Sequence, residues 1–286
     1  MVETTGRFHG FSVALNDRGV ALLTLERPER KNGLTLTIKR ELMDWLIHAS
    51  TNNAIRTIVV TGRGDSFCAG DDISGKTGDD MAEPVFTDPL TLGPRNSIRT
   101  YNALRLGSQP LSGLLLKMDK PMIAAVNGVA IQSGLTLALC CDFRIASTSA
   151  RLGSGTLRFA LTPDDGGHYL LVKMLGLPGA LDFILRNRIV SAARALELGL
   201  VSEVVDPQDV APKAMDLAHE LAEAPQVVLR MVKRSLYVAA EANYAQAMED
   251  IAVRTCMTDY HEDAHEGIAA FRDKRKPSYN AWMEGE

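Results

Sequence analysis

The stretch "KPMIAAVNGVAIQSGLTLALCCDFRIA", residues 120–146, contains strand, turn and helix signals in close succession. A run of β-forming residues covers 122–130, a helical pattern follows over 134–140, and another β-rich run covers 140–149. Length alone would permit a membrane span over 122–141, because that segment carries no charge. We instead predict a buried strand, a turn and a helix, because small and polar residues interrupt the apolar run, namely Asn127, Gly128, Gln132, Ser133 and Thr136.

A second turn of the same kind lies in "SFCAGDD", residues 66–72, after a β-rich run over 55–62. A strand that passes through small residues into a turn or helix leaves main-chain N–H groups without acceptors. Two such turns, brought together, can hold one anionic oxygen between two donors, each contributing ~10²–10³ in rate. The pair of turns therefore predicts a site that stabilises negative charge on a carbonyl oxygen.

The rest of the chain divides into an α/β part and a helical part. The turn signal "NDRG" predicts a β-hairpin over 11–27, and apolar spacing predicts helices over 34–49 and 97–118. Strands that alternate with helices are typical of an α/β core with parallel strands. After about residue 205 the sequence has only amphipathic helical patterns. We therefore predict a core domain over 1–205 and a helical oligomerisation region over 206–286.

The segment 77–96 differs from its surroundings, with three prolines, several acidic residues and no clear periodicity. A loop of this length inside a compact domain is often functional, for example as a lid over a site. A disordered surface insertion is an equally good interpretation of the same residues.

Composition excludes several function classes. The net charge of −4 argues against a nucleic-acid-binding protein. The N-terminal residues have no apolar signal-peptide region, so we expect a cytoplasmic protein without a membrane partner. A metal site and a disulfide framework are not expected, and we interpret the cysteines as buried thiols in a reducing compartment: Cys68, Cys140, Cys141 and Cys256.

Several motifs, in the same order, resemble those of the crotonase superfamily, which includes the enoyl-CoA hydratases and isomerases. The similar segments are "RPERKNGLTLTIKREL", "GRGDSFCAGDDI", the 120–146 stretch, and "EGIAAFRDKRKPSY" near the C-terminus. The resemblance runs from about residue 10 to residue 279. It implies an α/β fold, built as a spiral of ββα units and followed by a helical trimerisation region. It also implies an acyl-CoA substrate, with coenzyme A as part of that substrate rather than a resident cofactor, and a homotrimer or a dimer of trimers.

The resemblance also gives the two turns a role, since in this family their N–H groups bind the thioester oxygen and stabilise an enolate. By motif position, the donors here are the main-chain N–H groups of Asp71 and Ser133. Ser133 and Gln132 both replace glycines of the family pattern. We expect the added Cβ atoms to restrict the turn or to narrow the pocket.

Two departures from the family concern the glutamates with which the hydratases add water to a double bond. The matching positions here are Thr136 and Thr156. A buried carboxylate can transfer a proton at neutral pH, whereas a threonine hydroxyl can only hold a water molecule or a substrate oxygen. The two-glutamate mechanism therefore needs a carboxylate from elsewhere, and one possible source is the 77–96 segment, with Asp79, Asp80, Glu83 and Asp88.

Asp164, eight residues after Thr156, is the main catalytic candidate. Most hydratases of the family have glycine at this position, whereas relatives with different chemistry, the dienoyl-CoA isomerases and the 4-chlorobenzoyl-CoA dehalogenases, have a catalytic aspartate there. A plainer interpretation is a helix start at Thr162, with Pro163 in the first position and acidic residues in the first turn. Under either interpretation we expect Asp165 to point away from the site.

Contacts with coenzyme A are expected at three places. Basic residues near the N-terminus could meet phosphates, the 69–73 turn could contact the pantetheine arm, and the last helix could reach the nucleotide, often in a neighbouring subunit. Asp72 is also expected to fix its turn through hydrogen bonds. The residues concerned are Arg30, Lys31, Ala69, Asp72, Ile73, Phe271 and Lys274.

Three functions remain open from the sequence. The first is an isomerase, or an atypical hydratase or lyase, that stabilises an enolate and moves a proton with Asp164. The second is a hydrolase of a carbon–carbon or thioester bond that holds water with Thr136, Thr156 or His168. The third is a non-catalytic acyl-CoA-binding protein that kept the pocket and lost the acids.

Overall fold

The computed structural model describes residues 4–72 and 96–283. The strands within those ranges are β1 (Gly6–Phe8), β2 (Phe11–Leu15), β3 (Val20–Leu25), β4 (Thr57–Gly62), β5 (Ser66–Cys68), β6 (Met122–Val126), β7 (Val129–Ile131), β8 (Phe143–Ser147), β9 (Arg151–Gly153), β10 (Ile189–Ser191) and β11 (Glu203–Val205). The α-helices within the same ranges are α1 (Leu36–Thr51), α2 (Ser97–Ala103), α3 (Gln109–Lys117), α4 (Ser133–Cys140), α5 (Gly167–Leu185), α6 (Ala192–Glu197), α7 (Val210–Glu223), α8 (Gln226–Ala239), α9 (Tyr244–Asp259) and α10 (Glu262–Asp273).

The described strands form two sheets. The larger has the order β1-β2-β3-β4-β6-β8-β11, and the smaller has the order β10-β9-β7-β5. The predicted hairpin is β2 and β3, which pair antiparallel, whereas β3, β4, β6, β8 and β11 run parallel. Each of β4, β6 and β8 is followed by a strand of the smaller sheet and then by a helix. The chain therefore has the predicted α/β fold of repeated ββα units.

The core lies between the sheets and the helices that cover them. Helix α1 begins at an N-cap, where the Thr35 side chain accepts a hydrogen bond from the Ile38 N–H, and it buries Trp45 completely. Helix α7 packs on the other side of the larger sheet, where Ala214 and Ala218 meet strand residues such as Val59. The first helix after residue 205 is therefore part of the core packing.

Helices α8, α9 and α10 form the helical C-terminal part of the described chain, as predicted. Many large apolar side chains on these helices are exposed, among them Leu236, Met257 and Phe271. Exposed large apolar side chains, when they adjoin one another, are typical of a surface that another protein chain covers.

Three further expectations concern single segments. The uncharged run 122–141 is strand, turn and helix, as predicted. Among the described helices, α5 has the length and composition of a membrane span, which by itself is weak evidence for one. Its backbone is non-helical at Gly176. The interpretation of Cys256 as a buried thiol is wrong, because that side chain is exposed, whereas the other three cysteines are buried.

The helix start expected at Thr162 is also wrong. Helix α5 begins at Gly167, and its N-cap is Gly166 with a φ of 99°. Gly167 allows a close approach, since a Cβ there would lie 2.7 Å from the Thr136 hydroxyl oxygen. Tertiary contact with α4 therefore determines where the helix begins, and Asp164 and Asp165 lie in the preceding loop.

Candidate active site

The two turns singled out in the sequence lie side by side. They follow β5 and β7, which are parallel neighbours in the smaller sheet, so both turns emerge at the same edge. Gly70 has a φ of 98°, and a Cβ at this position would lie 2.9 Å from the Ile131 carbonyl oxygen and 3.6 Å from the Ser133 nitrogen. Glycine is needed here because the turns touch.

Main-chain geometry leaves a donor on each turn. Leu34 forms a parallel bridge with Asp71, in which its N–H donates to the Gly70 carbonyl and its carbonyl accepts from the Asp72 N–H, both over 2.9 Å. In such a bridge the N–H of Asp71 itself points to the opposite side. Ser133 is the first residue of α4, where an N–H has no acceptor within the helix.

The turn before α4 contains a strained residue. Gln132 replaces a glycine of the family pattern, and it has a φ of 52° and a ψ of −115°. For a residue with a Cβ, such a conformation costs ~1–3 kcal/mol. Its side-chain oxygen accepts a hydrogen bond from the Ser154 hydroxyl over 3.2 Å. The Cβ of Gln132 is thus accommodated with backbone strain.

The side chains of the two donor residues are joined to each other and to a buried lysine. The Ser133 hydroxyl donates to Asp71 Oδ1 over 2.6 Å. Lys39 Nζ lies 2.7 Å from Asp71 Oδ1 and 2.9 Å from Oδ2, and it also donates to the Ser108 hydroxyl over 3.1 Å. The Lys39 side chain is 3% exposed, so its charge depends on Asp71 for compensation.

A small cavity of about 20 Å³, with room for about one water molecule, adjoins Ser133. Its described lining combines leucines with polar side chains, namely Lys39, Ser108, Ser112, Ser133, Thr136 and Asp165. A space of this size among several polar groups suits a water molecule rather than a substrate.

Asp165 does not point away, and that expectation is wrong. The residue is 5% exposed, lines the cavity and accepts a hydrogen bond from the Thr136 hydroxyl over 2.8 Å. Its second carboxylate oxygen, Oδ2, is buried and has no hydrogen-bond partner among the described residues.

Asp164 is half-buried in the loop before α5; it adjoins the lining residue Asp165 in the chain but is not itself among the described residues that line the cavity. The pKa of its carboxyl is raised by burial, and then by the negative charges of Asp165 and Asp71, against a smaller opposing effect of Lys39. Gln109 anchors this loop by donating from Nε2 to the Asp164 carbonyl oxygen over 3.1 Å. A raised pKa brings a carboxylate closer to the range in which it transfers protons at neutral pH.

The remaining polar candidates are dispersed. Thr136 lines the cavity, whereas Thr156 lies in a short 3₁₀ helix, Thr156–Phe159, and is not among the lining residues. The Thr156 hydroxyl is buried without a hydrogen-bond partner in the described part of the chain. His168 is exposed on α5. Within the described ranges, no group of three His, Cys, Asp or Glu side chains could hold a metal ion.

Some of the residues expected to contact coenzyme A lie close together. The Ala69 N–H donates to the Lys31 carbonyl over 3.0 Å, so the exposed Arg30–Lys31 turn lies beside the first donor turn. Asp72 helps to fix this turn, as predicted, through an ion pair of 2.7 Å with Arg27.

The other expected contacts are not at the cavity. Phe271 is 88% exposed on α10, and Lys274 caps the same helix. Neither is among the described residues that line the cavity. Ile73 and residues 77–95 of the proposed lid segment, including its four acidic candidates, lie outside the described residues.

Sequence reasoning missed Lys39, Ser108, Ser112 and Asp165. A signal existed for Lys39, because it falls on the same face of α1 as the apolar Leu42 and Leu46, at a spacing of three and seven residues. A charged residue on a buried face needs a partner. No comparable signal separates Asp165 from its neighbour Asp164.

Comparison with known proteins gives consistent matches. Residues 16–282 match the family model described as enoyl-CoA hydratase/isomerase. The 1,2-epoxyphenylacetyl-CoA isomerase of Escherichia coli (strain K12) is 34% identical over 92% of this chain and 95% of that protein. Crotonyl-CoA hydratase of Syntrophomonas wolfei is 30% identical over 91% and 94%. The crystal structure of an enoyl-CoA hydratase from Bacillus anthracis superposes with a TM-score of 0.84 at 28% identity, covering 94% of this chain and 98% of that one.

Proposed function

The chain belongs to the enoyl-CoA hydratase/isomerase family, and from that premise we propose that it isomerises an acyl-CoA thioester through an enolate. In this proposal Asp164 takes a proton from a carbon that the thioester acidifies and returns it at another carbon. The N–H groups of Asp71 and Ser133 hold the oxygen on which the negative charge develops. An atypical hydratase or lyase reaction would use the same enolate.

One observation carries this proposal: two main-chain donors lie in the turns that follow adjacent parallel strands, near a half-buried aspartate with a raised pKa. Donors held in place before the reaction stabilise developing charge without reorganising. A carboxylate with a raised pKa is a stronger base than an exposed one, so it can take a proton that is only weakly acidic.

Isomerisation is favoured over ordinary hydration because both glutamate positions are threonine. Thr136 donates its hydroxyl proton to Asp165, so that proton is already used in a hydrogen bond. The similarity to 1,2-epoxyphenylacetyl-CoA isomerase supports the same choice. Hydratases are also among the relatives, which keeps the atypical hydratase as the second candidate.

The hydrolase and the non-catalytic binding protein receive less support. His168, one residue that could activate water, is exposed on α5 rather than at the cavity. A protein that only bound acyl-CoA would have no need of a half-buried aspartate with a raised pKa beside the two donors.

Coenzyme A binding and assembly complete the proposal. We infer that Arg30, Lys31 and the turn from Ala69 to Ile73 contact the coenzyme A part of the substrate, with no resident cofactor. Residues 206–286 would assemble the chain into a trimer or a dimer of trimers in the cytoplasm. The exposed apolar surface of α8–α10 supports this, and Phe271 and Lys274 would then reach a neighbouring subunit's substrate.

The test is proton exchange in heavy water. Wild type and Asp164→Asn are mixed with a panel of acyl- and enoyl-CoAs, and deuterium uptake beside the thioester is followed by mass spectrometry. Asp216→Asn, on the exposed face of α7, is the matched control. Exchange in wild type and the control that is lost in Asp164→Asn supports the proposal. Binding without exchange or product in wild type would contradict it and favour the non-catalytic alternative.

A further inference from the structure

A negative charge lies on the same residue as one of the proposed oxyanion donors. Asp71 is proposed to bind the thioester oxygen through its main-chain N–H, and only Cα and Cβ separate that nitrogen from the side-chain carboxyl carbon. An oxygen held by this N–H is therefore close to the carboxylate, and two negative charges at short range oppose each other. Asp71 would hinder the enolate that its own N–H stabilises, unless another group compensates its carboxylate.

The compensating group is the ammonium of Lys39, on α1. Its Nζ lies 2.7 Å from Oδ1 of Asp71 and 2.9 Å from Oδ2, so it contacts both oxygens of the carboxylate. A further hydrogen bond from Nζ goes to the Ser108 hydroxyl over 3.1 Å. Because the Lys39 side chain is almost completely buried, salt and water screen this charge only weakly.

The other charges that act near this turn are negative. Burial raises the pKa of the Asp164 carboxyl, the charges of Asp165 and Asp71 raise it further, and Lys39 opposes them. Burial also raises the pKa of the Cys68 thiol, to about 12, and the side-chain charges that act on it are those of Asp71, Lys39 and Asp165. In both cases Lys39 is the cation among a group of acids.

The Asp71 carboxylate has a use that an apolar side chain could not replace. Its Oδ1 accepts the Ser133 hydroxyl over 2.6 Å, which links the two donor turns. A buried ion pair is weak evidence for stability, since apolar replacements are often equally stable. The link between the turns, and the need to compensate its charge, account for Asp71 and Lys39 together.

We propose that Lys39 is a positioning residue of the oxyanion site. It neutralises the Asp71 carboxylate, which then links the two turns without opposing negative charge on the thioester oxygen. This inference rests on the proposed function, because it takes the N–H groups of Asp71 and Ser133 to be the donors. Lys39 itself does not touch the substrate, and it acts through Asp71.

Bound acetoacetyl-CoA measures the stabilisation of this charge without turnover. A 3-ketoacyl thioester loses a proton from the carbon between its two carbonyl groups, and the resulting enolate absorbs near-ultraviolet light that the neutral form does not. Each full-length protein is saturated with the thioester, as checked by isothermal titration calorimetry, and the absorbance is followed as the pH is raised. The midpoint, the pH at which half of the bound thioester is enolate, falls as the site stabilises negative charge more strongly.

Removal of the two charges is expected to shift this midpoint in opposite directions. Lys39→Met leaves the carboxylate uncompensated and is expected to raise the midpoint by about one pH unit, which is about tenfold in the ionisation constant. Asp71→Asn keeps the main-chain N–H and an oxygen for the Ser133 hydroxyl but removes the negative charge, so it is expected to lower the midpoint. Lys39→Met/Asp71→Asn has neither charge and is expected to return close to wild type. Lys213→Met, on the exposed surface of α7, is the matched control and should keep the wild-type midpoint.

The direction of the shifts separates a charge effect from damage to the fold. Damage would raise the midpoint in both single variants, and that outcome would overturn the inference, as would a wild-type midpoint in Lys39→Met. If Lys39→Met does not fold, the remaining variants decide, because the inference requires a lower midpoint in Asp71→Asn than in the double variant.

The same measurements distinguish this inference from the proposed function. The expected shifts, together with deuterium exchange that survives in Asp164→Asn, would support the role of Lys39 and contradict that of Asp164. A wild-type protein that leaves the midpoint of acetoacetyl-CoA at its value in free solution, or that does not bind the thioester, would contradict the donor pair and remove both proposals.

Discussion

Ser133 donates its hydroxyl hydrogen to Oδ1 of Asp71 over 2.6 Å, so the side chains of the two residues proposed as oxyanion donors are hydrogen-bonded to each other. The two residues are 62 positions apart and belong to turns after different strands. Lys39 lies behind this pair and holds both oxygens of Asp71. The spacing of two main-chain donors is therefore supported by a network of side chains.

Removal of the carboxylate from Asp71 is expected to leave Lys39 as a buried charge without compensation. We expect Asp71→Ala to lower the free energy of unfolding by about 2–3 kcal/mol, less than is typical of a fully buried pair because 33% of the Asp71 side chain is exposed. Urea unfolding of both single variants and of Lys39→Met/Asp71→Ala measures the coupling.

The double variant is the critical member of that cycle. It has neither charge, so it is expected to be more stable than Asp71→Ala despite carrying one more substitution. If its loss of stability equals the sum of the two single losses, Lys39 and Asp71 are not energetically coupled.

The hydrogen bond from Ser133 is expected to affect the rate more than the binding. Ser133→Ala keeps the main-chain N–H but removes the bond to Asp71, so the donor is less well positioned. We expect the rate of deuterium exchange at saturating thioester to fall about tenfold, with a smaller change in the half-saturating concentration. Ser202→Ala, which removes a hydroxyl bonded to the Arg144 carbonyl, is the control and should exchange like wild type.

Close packing between α4 and β5 predicts the effect of a single methyl group. A Cβ on Gly134 would lie 2.0 Å from the Cys68 carbonyl oxygen, which is main chain and cannot move aside alone. We expect Gly134→Ala to lower the free energy of unfolding by at least about 3 kcal/mol or to prevent folding.

Gly113→Ala is the matched substitution. This glycine lies in α3, and a Cβ there meets no atom within 4 Å among the described residues. It is expected to raise the free energy of unfolding by about 0.5–1 kcal/mol, because alanine favours the helix. Thermal unfolding of the two variants side by side checks the prediction, and a loss of stability in Gly113→Ala would contradict it.

The raised pKa of Asp164 gives a prediction about pH. Its pKa in the folded protein lies above the ordinary 3.8, so the folded protein binds the proton more tightly than the unfolded chain does. The stability that this proton contributes is present in full below pH 3.8 and is lost as the pH rises through the folded pKa.

Asp164→Asn is therefore expected to be more stable than wild type at neutral pH, with a difference that shrinks toward acid. Denaturant unfolding of both proteins from about pH 3 to about pH 8 measures this, with Asp216→Asn as the exposed control. A difference between Asp164→Asn and wild type that stays constant with pH would show that the Asp164 carboxylate is not destabilised in the folded protein.

Local patterns predicted most of the fold. The β-forming run before Asn127 and the helical spacing after Ser133 are properties of neighbouring residues, and the structure has a strand and a helix there. The prediction of a helix start at Thr162 was wrong because a tertiary contact overrode the local signals. Its capping signals are local, but the helix begins at Gly167, where the absence of a Cβ allows contact with Thr136.

The sequence by itself determined the order of elements, the two donor turns and the family, because these depend on residue types at fixed spacing along the chain. Tertiary structure decided which side chains share the cavity. Lys39 meets Asp71, and Thr136 meets Asp165, only after distant segments have packed together. A buried charge or polar atom is tolerated only where folding supplies its partner, and that partner is fixed by position in space rather than by position in the sequence.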